Sequence, residues 1–193
     1  MQAELNAGAD VMAKGGYYGE TPLHYAAEYG TADVIGTVVN KGADVTALDD
    51  NGKTPLHKDA RAGTPETIMA LIAGGAAMMA QEQLSYTPLH TAASYDTFAN
   101  IRALLAAGAD LKAIDNFNRE TPLHQAAQSY SDNALANALA LLNAGADVMT
   151  QNNSSETPLH PAAEINGATD VKNNILALLA AGADVMVKNK DGK

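Results

Sequence analysis

Apolar residues recur along this chain with a helical period, in five short stretches that each end at a glycine. Counted back from Gly42, Gly75, Gly108, Gly145 and Gly182, they stand three, four and usually seven positions earlier. The stretches contain Ile35, Val38 and Val39; Ile68, Leu71 and Ile72; Ile101, Leu104 and Leu105; Ala138, Leu141 and Leu142; and Ile175, Leu178 and Leu179. This spacing predicts five helices with one buried face, each ended by a glycine in a left-handed conformation.

A second set of shorter helices is predicted ahead of these five. The tetrapeptide Thr-Pro-Leu-His begins at positions 21, 54, 87, 121 and 157, so that successive copies lie 33, 33, 34 and 36 residues apart. Threonine is a good N-cap residue, and proline suits the first helical position because its missing N–H is no loss there. We therefore expect a helix of about two turns after each threonine, for example over residues 22–29.

The stretch between each glycine and the next threonine lacks a helical period, and Asn51-Gly52 within one of them predicts a tight turn. A period near 33 with Thr-Pro-Leu-His followed by an alanine pair is typical of the ankyrin repeat. The chain resembles an ankyrin-repeat protein over nearly all its length. The resemblance implies an all-α repeat solenoid, in which helix-turn-helix units are stacked and joined by β-hairpin loops. It also implies a concave face of hairpin tips and first helices that binds other proteins, with no catalysis in the repeats.

The repeat pattern predicts a single domain over residues 1–193. Five full repeats cover residues 18–50, 51–83, 84–117, 118–153 and 154–190, and are called repeats one to five below. A partial repeat occupies residues 1–17, and a further unit starts at 191–193. Repeats four and five are longer, which places their extra residues at the helix junctions near 128–135 and 165–173. No polar capping helix is evident at either end, so we expect a monomer or weak end-to-end association.

The charge of the chain limits its partners. The formal net charge is −10, and an acidic chain repels phosphate backbones, so we expect no nucleic-acid partner and a protein partner with a basic surface. Half of that excess lies in repeat one, and the sequence leaves two interpretations of it open, a partner surface and a solvated face. No apolar run approaches the roughly 18 residues that span a bilayer, so membrane insertion is not expected. The chain has no cysteine and no visible secretory leader, which favours the cytoplasm and leaves export as an effector open.

The histidines do not indicate catalysis. All five, His24, His57, His90, His124 and His160, are the last residue of Thr-Pro-Leu-His, so they repeat with the fold and do not converge on one point. The resemblance implies that they form structural hydrogen bonds between neighbouring units. Phosphate-binding glycine loops and calcium-binding loops are absent from the sequence. We therefore expect no enzyme, no cofactor and no metal.

Tyrosines favour hairpin tips and first helices, and none lies on a second helix. Tyrosine is enriched in protein interfaces, although at these positions it could equally fill the groove between neighbouring first helices. The predicted partner-binding residues are Tyr17, Tyr18, Tyr25, Tyr29, Lys58, Arg61, Tyr86, Tyr95, Phe117, Arg119, Gln125 and Tyr130.

Two other functions remain open from the sequence. The array could be a regulatory or targeting segment of a larger enzyme or effector protein, or an engineered or structural stack without a natural partner.

Repeat two is irregular, because Asp59 replaces the first alanine of the recurring pair. A buried carboxylate is costly, so Asp59 must pair with Arg61 or Lys58, reach water or take up a proton. We expect repeat two to be the weak unit of the stack.

Overall fold

The protein is a stack of paired helices, as its repeat pattern predicts. A computed structural model describes residues 10–95, 97–129, 133–164 and 169–193. The first helices of the five repeats are α1 Pro22–Tyr29, α3 Pro55–Ala62, α5 Pro88–Ser94, α7 Pro122–Ala127 and α9 Leu159–Glu164. The second helices are α2 Ala32–Asn40, α4 Pro65–Ala73, α6 Phe98–Ala106, α8 Ala134–Asn143 and α10 Thr169–Ala180. The residues added in repeats four and five precede α8 and α10, in part outside the described ranges.

The helices form two layers. The first helices pack on one another in the order α1, α3, α5, α7 and α9, and the second helices in the order α2, α4, α6, α8 and α10. The leucine of Thr-Pro-Leu-His fills the space between the layers together with the apolar stripe of the second helix. Leu23, Leu56, Leu89 and Leu123 are buried in this way against residues such as Ile68 and Ile101. Because each unit buries its apolar face on the next, the core runs the length of the stack.

The histidine of each of the first four motifs joins one unit to the next. In repeat one, Nδ1 of His24 accepts the Thr21 N–H at 3.1 Å, while Nε2 lies 2.9 Å from the Lys53 carbonyl oxygen of repeat two. The same two bonds recur at His57, His90 and His124, whose Nε2 atoms meet the carbonyls of Tyr86, Glu120 and Glu156. Burial lowers the pKa of these four histidines, for His57 to about 4. The structural role implied by the resemblance is thus confirmed.

The loops between repeats are hairpin-shaped, but the described residues contain no β-strand. Gly15 and Glu20 exchange two backbone bonds in an isolated bridge, and in the next hairpin the Asp49 N–H donates to the Lys53 carbonyl at 2.9 Å. Each turn also bonds to the turn beside it; for example, the Asp50 N–H donates to the Tyr18 carbonyl at 2.8 Å. The glycines after the second helices have φ between 91° and 97°, as predicted. Neighbouring hairpins therefore form one continuous edge that is held by main-chain bonds.

The carboxyl group of Asp59 is buried without an ion pair. Its side chain in α3 is 0% exposed, and Oδ1 accepts the Thr67 hydroxyl at 2.6 Å. Within the described residues neither Lys58 nor Arg61 pairs with it, and Oδ2 has no hydrogen-bond partner. Burial raises the pKa of Asp59 to about 7, against the lowering effect of the Thr67 hydroxyl and the Thr64 N–H. Of the outcomes left open by the sequence, proton uptake is the one that this geometry favours.

Candidate protein-binding surface

Tyrosines project from repeat one at the face that carries the hairpins and first helices. Tyr17 is 90% exposed and Tyr29 is 75% exposed, while the Tyr17 and Tyr18 rings meet edge to face with centroids 4.9 Å apart. Tyr25 is only half-buried, and a hydrogen bond from its hydroxyl to the Glu20 carboxylate raises the pKa of this phenol. Tyr18, Tyr25 and Tyr29 of repeat one thus lie together with Tyr17, the residue directly before that repeat, where rigid helices and a bonded hairpin hold them.

Lys58 was predicted as a partner contact, and the structure corrects this. Its ammonium group pairs with Glu20, lies 3.5 Å from Oδ2 of Asp49, and lies 5.7 Å from the centroid of the Tyr18 ring. Only 7% of the residue is exposed. Burial acts to lower the pKa of Lys58, but the hydrogen bond and charge of Glu20 outweigh it and the pKa is raised. Lys58 therefore joins repeat two to repeat one and is not free for a partner.

Gln125 is also part of the scaffold. It is buried in α7, where its Nε2 donates to the Tyr86 hydroxyl at 3.0 Å and to Oε2 of Glu120 at 2.8 Å. Ser94 donates from its hydroxyl to Oε1 of Gln125 at 3.1 Å. A glutamine in contact with three polar neighbours fixes their positions, and its amide group has little hydrogen-bonding capacity left for an incoming protein. This correction could not be made from the sequence, because two of the three partners, Tyr86 and Ser94, come from the preceding repeat.

A groove opens beside this network, between repeats two and four. It has a volume of about 430 Å³ and is lined by Lys53, Glu82, Leu84, Tyr86, Thr91, Ser94, Tyr95 and Gln125. The Tyr86 ring stacks on His90, with an interplanar angle of 6°. Burial and the charges of Asp115 and Glu120 raise the pKa of Tyr86. Arg61 of repeat two lies with its guanidinium carbon 4.9 Å from the centroid of the Tyr95 ring, so two of the predicted residues contact each other at the groove.

The remaining candidates lie further along the stack. Phe117, the last residue of repeat three, is 82% exposed at the hairpin that leads into repeat four. Arg119 is exposed in the same hairpin with φ of 58°, at the position that Gly19 and Gly52 occupy in repeats one and two. Tyr130 lies outside the described residues. The structure thus gathers the predicted residues into a repeat-one cluster, a central groove and an isolated hairpin tip.

Sequence reasoning missed three buried asparagines at the same register of three second helices. Asn100 donates from Nδ2 to the carbonyls of Asp59 and Gly63 at 3.2 and 3.1 Å, across to the preceding repeat. Asn137 and Asn174 make the equivalent contacts to Tyr95 and Ala127. They satisfy carbonyls at the ends of first helices, which need partners when buried. An asparagine directly before the first residue of an apolar stripe is the signal that could have revealed them.

Neither a metal centre nor a membrane span emerges from the part of the chain that the structure describes. In those ranges no group of three histidine, cysteine, aspartate or glutamate side chains could hold an ion. Among the same residues, no helix combines the length and the apolar character needed to cross a bilayer.

Comparison with known families and structures identifies the repeat. Profiles described as ankyrin repeats in three copies match residues 38–115 and 57–152, one for many copies matches 141–193, and one for a single repeat matches 18–50. The crystal structure of the ankyrin repeat domain of Bcl-3, described as a unique member of the IkappaB protein family, is similar with a TM-score of 0.78. The sequences are 28% identical, and the match covers 100% of this chain and 82% of that one. No curated protein sequence matches.

Proposed function

This chain belongs to the ankyrin-repeat family, and we propose that it is a non-catalytic scaffold that binds a partner protein through its hairpin tips and first helices. Ankyrin repeats are generally protein–protein interaction modules, and their fold is typically non-catalytic. The proposed contacts are Tyr17, Tyr18, Tyr25, Tyr29, Arg61, Tyr86, Tyr95, Phe117, Arg119 and Tyr130. Lys58 and Gln125 are proposed to support this surface from within.

The observation that carries this proposal is the tyrosine cluster of repeat one. Large aromatic side chains that stay exposed on a rigid unit offer contact area at little cost in ordering entropy. The cluster is set in the repeat that holds half of the negative charge excess of the chain. Since Lys58 neutralises only one neighbouring charge, a partner with a basic surface is the natural complement.

We also propose a single domain over residues 1–193 that works in the cytoplasm, or after export as an effector, as a monomer or a weakly end-to-end associated stack. The absence of cysteine supports a reducing compartment. The continuous order of helix contacts from α1 to α10 supports one cooperative stack rather than separate units.

The test of the proposed function is a double alanine variant of the cluster. Tyr25→Ala with Tyr29→Ala removes two aromatic contacts, and we expect binding of a captured partner to weaken more than about tenfold. The partner is isolated by affinity capture with mass spectrometry, and its dissociation constant is then measured by titration. The free energy of unfolding should change little.

The matched control is Met69→Ala with Leu139→Ala, which removes two large exposed side chains from the second-helix layer. This control should leave the affinity unchanged. If the tyrosine variant binds as tightly as the wild type, this surface is not the binding site.

A further inference from the structure

We infer that the partner is held as an extended segment with two anchors, a basic side chain on repeat one and a large apolar side chain in the groove of repeat three, about six residues apart. This inference rests on the proposed function and deepens it. It follows from two different surfaces that occupy equivalent places on α1 and α5.

The basic anchor would meet Tyr29 and Glu28 at the end of α1. Tyr29 is exposed, and the Glu28 carboxylate lies within hydrogen-bonding reach of its hydroxyl, which raises the pKa of the phenol. No cationic side chain of the described residues forms an ion pair with Glu28. Lys58 interacts electrostatically with Glu28 and Tyr29, without such a pair. An aromatic face beside a carboxylate that has no ion-pair partner is a favourable place for an ammonium or guanidinium group.

The protein already fills two comparable places with its own cations. Lys58 lies over the Tyr18 ring while it pairs with Glu20, and Arg61 lies over the Tyr95 ring. Both cations come from repeat two, and each reaches a neighbouring repeat. Tyr29 likewise presents an aromatic ring, here beside the Glu28 carboxylate, and no cation of the described residues forms an ion pair with Glu28, so a partner cation completes the series.

The apolar anchor would enter the groove beside α5. Leu84, which is half exposed, Tyr86 and Tyr95 are the large apolar or aromatic residues of its lining. Thr91 and Ser94 also line it and have small side chains, which leave room in the groove. The bonds of Gln125 to Tyr86 and to Ser94 hold two of the lining side chains in place before a partner arrives. A volume of about 430 Å³ accommodates one large side chain with its backbone.

The distance between the anchors sets their separation in the partner. Ser94 and Tyr95 occupy the positions in repeat three that Glu28 and Tyr29 occupy in repeat one. Two steps of about 8–10 Å between packed helices separate the two places. An extended chain covers about 3.3 Å per residue, which gives about six residues.

The inference is tested with random 15-residue peptides displayed on phage and selected on the intact protein. We expect enriched peptides to share a lysine or arginine about six residues from an aromatic or large aliphatic residue. One such peptide is then synthesised with a fluorophore, and its dissociation constant is measured by fluorescence anisotropy. Glu28→Gln should weaken it about fivefold and reduce the salt dependence. Leu84→Ala should also weaken the affinity for this peptide about fivefold. The same variant should leave unchanged the affinity for a peptide whose apolar anchor is replaced by alanine.

Matched controls are Asp33→Asn, an exposed carboxylate on α2, and Leu139→Ala, an exposed leucine on α8. Both should bind the peptide as the wild type does. A direct contact also predicts that Glu28→Lys recovers binding to a peptide whose basic anchor is changed to glutamate.

Each result decides between the two proposals. Peptides that bind and lose affinity with Tyr25→Ala and Tyr29→Ala, yet share no such pair of anchors, would overturn the inference and leave the proposed function standing. Enrichment of peptides that bind regardless of all these variants would overturn both. Failure of the folded protein to enrich any peptide above an unrelated protein would also count against both.

Discussion

Repeats two and three differ in the polarity of the residue at one equivalent buried position. Asp59 in α3 and Ala92 in α5 follow the same motif at the same distance, and both side chains are 0% exposed. In repeat two the carboxyl group meets the Thr67 hydroxyl of α4, whereas in repeat three the matching residue of α6 is Asn100. Asn100 points its amide at the carbonyls of repeat two and not at its own first helix. A polar group is therefore tolerated in one unit because its own second helix supplies a donor.

The comparison predicts its largest effect on stability when an aspartate is introduced at the equivalent position of repeat three. Ala92→Asp buries a carboxyl group next to an asparagine that is already engaged, with no hydroxyl in the place of Thr67. We expect a loss of about 3–5 kcal/mol in the free energy of unfolding, measured by urea denaturation at pH 8. Ala92→Asn is the uncharged control and should cost less. An unfolding curve of Ala92→Asp that superimposes on the wild type would refute the comparison.

The reverse change, Asp59→Ala, should stabilise the protein in a pH-dependent way. The pKa of Asp59 rises from 3.8 to about 7 on folding, so between these values the folded state holds a proton that the unfolded state has lost. The stability contributed by this group therefore falls as pH rises from about 4 to 7, and stays low above 7. We expect Asp59→Ala to gain about 2–4 kcal/mol at pH 8 and much less at pH 4.5.

The titration of four histidines also makes stability depend on pH, but it is common to the wild type and the variant. The lowered pKa values of His24, His57, His90 and His124 act in the opposite direction, because their unfolded forms take up protons as pH falls below 6.5. Subtracting wild type from variant at each pH removes this shared contribution. A difference that does not vary with pH would mean that Asp59 is ionised in the folded protein or is not buried in solution.

The smallest expected effect concerns Thr67. In the Asp59→Ala background, Thr67→Asn should add about 1 kcal/mol, because the new amide can donate to the end of α1 as Asn137 does to Tyr95. In the wild-type background the same change removes the donor of Asp59 and should destabilise. The coupling between the two positions is measured from the four unfolding free energies. Equal effects of Thr67→Asn in both backgrounds would show that residues 59 and 67 act independently.

Much of the fold could be predicted because its signals are local. The threonine cap, the proline and the histidine lie within four residues, and the terminating glycine follows its own helix, so repetition alone identified both layers of helices. The three buried asparagines were missed because their partners lie in the preceding repeat, about 40 residues away along the chain. Repeats one and two have Val34 and Thr67 at this position, so the asparagine does not recur in every repeat.

The candidate surface was harder to predict for the same reason. Exposure of Tyr17 and Tyr29 follows from their positions in a loop and at a helix end. Burial of Lys58 and Gln125 depends on Glu20, Tyr86 and Ser94, which other repeats supply. Sequence position alone placed all of these side chains on one face, and only their mutual contacts separate the supporting residues from the exposed ones.

The bonds from His24, His57, His90 and His124 to carbonyls of the next repeat have a mechanical consequence. Every such link spans one boundary, and so does each bond between adjacent hairpins, so a pulling force applied at the two ends passes through every boundary in series. The load carried by each boundary is the same, whereas its resistance is not. Under tension the array should part at whichever joint is weakest, and the units on either side should keep their shape until the force rises again.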